Sequence, residues 1–300
     1  MANSQPIESV RALLAEIIDY AGLFPPSQLP MAEAAANYAR YKSGEDNWML
    51  GRFVVPVTRL EEFADSAKEF FSGDGETWKL SVLASEDIYG TIREIESFNN
   101  QFAGDAVCDA LEVKANTGAQ IEEIAESVPP QLTTYFEIPI GEELADLIAT
   151  IAISGGRAKI RTGGIVQNAF PTVAQITRFV RTCLAANVPF KATAGLHHPL
   201  CCQKPLTYEK DAEMGTMHGF LNFFLAVGFL QQGHKTDVIK ELLEDRKAEN
   251  FTFDETGALW RQEYFIPTAQ LKFLREKNII SFGSCSFEEP ITDLQEIGIL

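Results

Sequence analysis

Short apolar runs alternate along this chain with longer segments in which apolar residues recur every three or four positions. Runs of the first kind predict buried strands and segments of the second kind predict amphipathic helices, so their alternation indicates βα units around a parallel sheet. A first helix is predicted over residues 7–18. Eight strands are predicted at residues 19–24, 52–56, 79–84, 110–115, 133–138, 158–162, 189–194 and 279–284.

Eight parallel strands are the number that a closed (β/α)8 TIM barrel requires. An open doubly wound sheet is the alternative, but no G-x-G-x-x-G turn follows the first strand, which weakens its dinucleotide-binding form. Residues 199–277 are too many for one helix, and they predict an excursion of helices with a small hairpin between strands seven and eight. We therefore predict a single α/β domain over residues 1–300, a TIM barrel with an N-terminal helix and this insertion.

Strands four to seven carry a second pattern, in which apolar and polar residues alternate. The apolar set is Leu111, Val113, Phe136, Ile138, Ile160, Phe190 and Ala192, and the polar set is Glu112, Lys114, Glu137, Lys159, Arg161, Lys191 and Thr193. Successive strand residues point to opposite faces, so helices would cover the apolar set and the polar set would face the lumen. Four cations against two anions predict a positive pocket at the barrel mouth that awaits an anionic group. A purely structural ion-pair network is the alternative.

Two of these residues, Lys159 and Lys191, are predicted on neighbouring strands at matching depth. Burial and a nearby like charge both disfavour the ammonium form, so each lysine is expected to lower the pKa of the other. A lysine with a lowered pKa is a nucleophile for carbonyl groups and forms a Schiff base, which stabilises a carbanion next to it.

The motifs Lys159-Ile-Arg-Thr-Gly-Gly and Phe190-Lys191-Ala-Thr-Ala-Gly-Leu resemble the two lysine strands of the deoxyribose-phosphate aldolase group of class I aldolases. The resemblance implies that Lys159 forms the Schiff base, that Lys191 tunes it, and that an acid near Glu112 or Lys114 assists proton transfer. It also implies that backbone amides of the turn at residues 282–286 hold a phosphate.

The sequence departs from that family where Arg161 replaces a small polar residue and where Glu112 and Lys114 replace an aspartate. From the residues alone, either lysine is a candidate nucleophile and either Glu112 or Glu137 a candidate proton shuttle. The positions predicted to bind the substrate or its anionic group are Arg161, Thr193, Gly163, Gly164, His197, His198, Gly283, Ser284 and Asp19. The expected substrate is a small carbonyl metabolite that carries a phosphate or a carboxylate.

Two other functions compete for the same mouth. His197 and His198 follow strand seven directly, and with Glu112, Glu137 and His218 they would hold a divalent metal for hydrolysis or isomerisation. Schiff-base chemistry, in contrast, requires no cofactor. The third alternative is a non-catalytic barrel that binds an anionic metabolite.

The composition of the chain indicates which classes of binding partner and which cellular compartment to expect. The 25 basic and 42 acidic residues give a net charge of −17, which argues against nucleic acid or an anionic membrane as the main partner. Five cysteines without a C-x-x-C motif favour a reducing compartment, and Cys285 shows no motif. With no signal-peptide pattern and no apolar run of about 18–20 residues, a cytoplasmic location is expected, and a homo-oligomer is left open.

Overall fold

A computed structural model describes residues 6–71 and 76–300. Eight parallel strands form a closed barrel, which confirms the predicted (β/α)8 TIM barrel. In order around the barrel the strands are β1 (Ile18–Tyr20), β2 (Leu50–Pro56), β3 (Trp78–Leu83), β4 (Ala106–Lys114), β5 (Thr133–Glu137), β6 (Arg157–Arg161), β7 (Phe190–Thr193) and β13 (Ile279–Ser284). The last strand closes the barrel by pairing with β1.

Helices surround the strands. Before β1 lies α1 (Glu8–Leu14), and the helices that follow β1 to β6 in turn are α2 (Met31–Lys42), α3 (Leu60–Ala67), α4 (Ile88–Gln101), α5 (Gly118–Ser127), α6 (Leu144–Ile153) and α7 (Val173–Ala185). A capping box between Thr172 and Gln175 begins α7, and Phe179 of α7 packs edge-on against Phe190 of β7. None of the helices in the described ranges is long and apolar enough to cross a bilayer.

The segment between β7 and β13 holds more strands than the sequence pattern predicted. It contains the hairpin β8 (Cys202–Pro205) and β9 (Met214–Met217), the helices α8 (Phe220–Gln231), α9 (Thr236–Leu243) and α10 (Thr268–Lys277), and an antiparallel sheet of β10 (Phe251–Asp254), β11 (Gly257–Trp260) and β12 (Tyr264–Pro267). The predicted helices and hairpin are present, whereas the three-stranded sheet was not predicted. Its strands are only four residues each, too short to show a reliable period.

Two predicted boundaries at the start of the chain are wrong. The first helix ends at Leu14 instead of residue 18, and β1 covers Ile18–Tyr20 instead of 19–24. Apolar residues continue on both sides of β1 because Ile17 and Leu23 are buried in the core although they lie outside the helix and the strand. In the turn after β1 the Phe24 N–H donates to the Ala21 carbonyl at 2.9 Å, which ends the strand.

Candidate active site

Four of the predicted polar residues of β4 to β7 meet inside the barrel, as the alternation predicted: Glu112, Glu137, Lys159 and Lys191. Lys159 and Lys191 are direct partners in the β6–β7 pairing, which confirms their matching depth. Glu137 is the partner of Lys159 on the other side, and Lys114 is the partner of Glu137. Strand register therefore sets one acidic and three basic side chains side by side near the carboxyl ends of the strands, where barrel enzymes place their chemistry.

Although the two lysines are register partners, it is the Lys191 ammonium that is enclosed by three oxygen-bearing side chains. Its Nζ lies 2.9 Å from Asp19 Oδ2, 2.5 Å from Glu112 Oε1 and 3.2 Å from Ser81 Oγ. A lysine ammonium has three donors, so these contacts match its full capacity. The side chain is 2 % exposed, and the Tyr135 ring centroid lies 4.8 Å from Nζ.

The second lysine, Lys159, lies one carboxylate nearer the mouth. Its Nζ is 2.6 Å from Glu112 Oε2 and 2.7 Å from Glu137 Oε2. The other oxygen of Glu137 accepts from Arg161 Nε at 3.0 Å. The result is a continuous line of six alternating charges, which we call the charge chain: Asp19, Lys191, Glu112, Lys159, Glu137 and Arg161.

Exposure rises along the charge chain from the floor of the lumen to the mouth. The side chains of Asp19 and Lys191 are 1 % and 2 % exposed, whereas those of Glu137 and Arg161 are 13 % and 48 % exposed. A molecule entering from the mouth therefore meets Arg161 first, and Lys159 is the first lysine of the charge chain that it reaches.

The predicted excess of positive charge is wrong for the charge chain, and Asp19 is the reason. The sequence placed Asp19 at the mouth, but it lies on the lumen floor, where it also accepts from Ser281 Oγ at 2.7 Å and from the Arg52 N–H at 2.9 Å. With Asp19 included, three anions balance three cations. Of the predicted polar set, the remaining cation is Lys114, which is exposed and makes no ion pair with a described residue.

This balance reverses the expected titration of Lys191. Burial by itself would lower the pKa of Lys191, but the Asp19 and Glu112 carboxylates outweigh burial and raise it above its ordinary value. The predicted lowering of this pKa is therefore wrong. Burial also acts to raise the pKa of Glu112 and of Glu137, but Lys159 and the neighbouring cations outweigh it and lower both pKa values.

A cavity of about 410 Å³ opens at the Arg161 end of the charge chain. Its polar lining consists of Lys114, Asn116, Glu137, Arg161, Asn168 and Gln175, and Phe170 contributes an aromatic wall. Both cations of this lining come from strand ends, so the cavity combines an exposed positive rim with access to the Glu137 carboxylate.

The glycines predicted to bind substrate shape the loops beside this cavity. Gly163 is buried, and a Cβ at that position would lie 2.8 Å from the Gly195 Cα, so the loops after β6 and β7 touch through glycines. Gly195 has a φ of +76°, a conformation that other residues rarely adopt. Gly164 and Thr193 are half-buried, and the Thr193 carbonyl accepts from the Thr162 N–H at 2.9 Å.

The turn that the resemblance assigned to phosphate lies in acidic surroundings. Gly283 and Ser284 are buried, and α11 (Glu288–Glu296) begins just after them with Glu288 and Glu289 in its first turn. The Ser286 N–H donates to Ser284 Oγ at 3.3 Å, so this amide already has a partner. Carboxylates at the first turn take up the favourable position for negative charge at the helix N-terminus.

The two adjacent histidines pair with α11 instead of with each other. His197 Nδ1 lies 3.1 Å from Glu289 Oε2, and His198 Nδ1 lies 2.5 Å from Asp293 Oδ2. His218 uses Nε2 to contact the Pro171 carbonyl at 2.8 Å. Within residues 6–71 and 76–300, no group of three or more His, Cys, Asp and Glu side chains is arranged to hold a metal ion.

One residue that the sequence left without a role, Cys285, lies beside His197. Its Sγ is 3.9 Å from His197 Nδ1 and 3.9 Å from the Tyr208 hydroxyl. Burial by itself raises the pKa of Cys285, but His197 outweighs burial and lowers it. Burial would also lower the pKa of His197, but Cys285 and Glu289 raise it to about 10. No sequence motif predicts this pair, because His197 follows β7 and Cys285 follows β13, and the two residues are far apart along the chain.

Because the pKa of His197 is raised, part of the free energy of unfolding is expected to be lost at alkaline pH. Because the folded-state pKa lies above the ordinary value of 6.5, the stabilisation is fully present below pH 6.5 and is lost as the pH rises through about 10. We expect His197→Gln to lower the free energy of unfolding by about 1–3 kcal/mol near pH 6, and by much less above pH 10. Urea unfolding of both proteins across this range measures the difference.

His234→Gln is the matched control for that series, because the His234 imidazole contacts the Gln232 side chain instead of a carboxylate. We expect no comparable loss of stability in this variant at any of the pH values used. A difference between wild type and His197→Gln that grows as the pH rises would contradict the assigned ion pair.

Comparison with protein-family models and with curated proteins gives no relative from which a role could be transferred. The chain matches no protein-family model, and no curated protein is similar enough to count as a relative.

Proposed function

We propose that this protein is an aldolase-like lyase that forms a Schiff base between Lys159 and a small carbonyl substrate carrying a carboxylate or a phosphate. The observation that supports the proposal most strongly is the position of Lys159: it is the outer lysine of the charge chain and contacts two carboxylates within 2.7 Å. Its neighbours therefore supply proton acceptors on both sides of the amine. The resemblance of its strand to a lysine strand of class I aldolases is in accord with this role.

Proton movement is the first task of such a site. The Lys159 ammonium must lose a proton before it attacks a carbonyl, and Glu112 and Glu137 are both placed to accept it. Glu137 lies nearer the mouth, so it is the better candidate for moving a proton at the substrate carbon next to the imine. Glu112 lies deeper and shares its two oxygens between the lysines.

Lys191 is proposed as the residue that tunes Lys159 and not as the nucleophile. Its three oxygen contacts and its raised pKa favour the ammonium form, which is not nucleophilic. The Lys191 charge acts on Lys159 through Glu112, because it draws part of that carboxylate's negative charge away from the outer amine. Asp19 and Ser281 hold this arrangement at the floor of the lumen.

The anionic group of the substrate is proposed to bind at Arg161 and Lys114. Both side chains are exposed and line the cavity of about 410 Å³ at the mouth. A planar guanidinium and a mobile ammonium both bind carboxylates and phosphates, and the two differ mainly in geometry. The acidic first turn of α11 makes the Gly283–Ser284 side of the mouth a poorer anion site.

Reductive trapping tests the proposal. The purified protein is incubated with a panel of small aldehydes and ketones, with and without cyanoborohydride, and its intact mass is measured. We expect a stable increase in protein mass that corresponds to one covalently bound carbonyl compound, and only when the reductant is present. Peptide mapping should locate this adduct at Lys159. Absence of an adduct with every carbonyl of a broad panel would refute the Schiff-base function.

A non-catalytic barrel that binds an anionic metabolite is the second candidate, because both lysines of the charge chain are engaged in ion pairs with carboxylates. The two candidates differ in one measurement. Binding of a small anion by calorimetry together with no trapped adduct from the whole panel would favour the binding protein.

A further inference from the structure

The spacing between Lys159 and Arg161 limits where the substrate's anionic group lies. The two residues are two positions apart on β6, so their Cα atoms are separated by about 6.6 Å on the same face of the strand. Glu137 spans the gap between their side chains with one carboxylate group, at 2.7 Å from Lys159 Nζ and 3.0 Å from Arg161 Nε. A substrate that bridges the same two groups therefore needs a carbonyl and an anion that are very close together.

Arg161 retains the part of its guanidinium that recognises a carboxylate best. Only its Nε donates to Glu137, and its two Nη groups contact no acceptor among residues 6–71 and 76–300. The side chain is 48 % exposed and lines the mouth cavity. Two parallel N–H groups match the two oxygens of a planar carboxylate, which gives a bidentate pair.

A remote phosphate group has a poorer position at this mouth. Two strands away from β6 in the barrel, β13 leads into the first turn of α11, where Glu288 and Glu289 pair with Arg40 and His197 respectively. A substrate whose anion is several atoms away from its carbonyl would extend past Arg161, either to Lys114 alone or towards these carboxylates. Of the cations at the mouth, Arg161 is the one that lies on the strand of Lys159.

Resting on the Lys159 Schiff base proposed above, we infer that the substrate is a short 2-oxo acid, with its carboxylate on Arg161 and the adjacent ketone carbon at Lys159. The anion and the carbonyl of such a molecule are directly bonded, which fits the one-carboxylate gap that Glu137 spans. Phosphorylated aldehydes and ketones, in which several atoms separate the two groups, fit it less well.

The bonds and protons of the covalent step balance without a further reactant. Lys159 Nζ forms a bond to the ketone carbon, and the bond from that carbon to its oxygen breaks. The oxygen leaves as water with two of the three protons of the starting ammonium, moved by Glu112 and Glu137, and the third proton remains on the iminium nitrogen. The substrate carboxylate keeps its charge throughout and stays paired with Arg161.

A comparison of three ketones in wild-type protein tests the inference. Trapping with cyanoborohydride is measured over a range of concentrations of pyruvate, acetone and dihydroxyacetone phosphate. These probes carry an adjacent carboxylate, no anion and a more remote phosphate. We expect pyruvate to reach half-maximal trapping at a concentration at least about tenfold below that of either other ketone. The reason is that hydrogen bonds between a guanidinium and a carboxylate strengthen binding by at least about that factor.

Arg161→Gln provides a second readout, the ratio of the half-maximal concentrations of acetone and pyruvate. The variant should bring this ratio close to one, because its amide cannot form the charged pair. Arg59→Gln is the matched control, since Arg59 pairs with Glu62 on the surface, and it should keep the wild-type ratio. The wild-type comparison stands by itself if Arg161→Gln does not fold.

Two unfavourable outcomes are distinguishable. Equal trapping of pyruvate and acetone, or stronger trapping of dihydroxyacetone phosphate, would overturn the 2-oxo acid inference and leave the Schiff-base function standing. No adduct from any of the three, or from the wider carbonyl panel, would overturn the Schiff-base function itself.

Discussion

Lys159→Arg is expected to reduce reductive trapping of every carbonyl substrate to the background that exposed lysines such as Lys68 give. Arginine keeps the positive charge between Glu112 and Glu137, but its guanidinium stays protonated and forms no Schiff base. Charge and ion pairing are therefore largely retained while the nucleophile is lost. Intact mass after trapping gives the yield of adduct, and circular dichroism checks that the variant is folded.

A control variant and the location of the adduct show whether Lys159 is the nucleophile. Lys68→Arg alters an exposed surface lysine that pairs with Asp65, and it should trap as well as the wild type. Peptide mapping of the wild-type adduct should find the label on Lys159 and not on Lys191. Undiminished trapping in folded Lys159→Arg, with the label on Lys191, would show that this lysine is the nucleophile.

Glu112→Gln is expected to cause the largest loss of stability among single substitutions in the charge chain. Glu112 is 4 % exposed and contacts both lysines, with Nζ distances of 2.6 Å and 2.5 Å. Removing its charge leaves two buried cations with only Asp19 and Glu137 to balance them. Loss of one partner of a buried ion pair costs about 3–5 kcal/mol, and urea unfolding near pH 7 measures it.

The pH dependence separates this effect from a loss of packing. Because the folded-state pKa of Glu112 is lowered, its stabilising contribution is present above the unfolded pKa of about 4.3 and is lost as the pH falls towards the folded value. The difference between wild type and Glu112→Gln should therefore shrink in acid. Glu62→Gln, which breaks the exposed pair with Arg59, should cost less than about 1 kcal/mol. An equally small loss in Glu112→Gln would contradict the buried network.

Much of the fold follows from local sequence pattern. Alternation of apolar and helical segments predicted the eight barrel strands, and alternation within β4 to β7 predicted that Lys159, Lys191 and Glu112 share the lumen. Both patterns are local, since the side chains of a strand change face at each residue. The three-stranded sheet between β7 and β13 was missed because its short strands carry no clear period.

The partners inside the lumen were decided only by the tertiary structure. Asp19 contacts Lys191, which is 172 positions away, and Ser281, which is 262 positions away. Closure of the barrel brings these side chains together, and this closure changed a predicted positive pocket into a balanced charge chain and raised the pKa of Lys191. The pairing of Cys285 with His197 has the same origin.

By itself, then, the sequence determined the barrel and the faces on which its charges lie, because strand periodicity is encoded in neighbouring residues. The tertiary structure decided which charges neutralise one another and which lysine the mouth exposes first, because those contacts depend on strand register and on the pairing of β1 with β13.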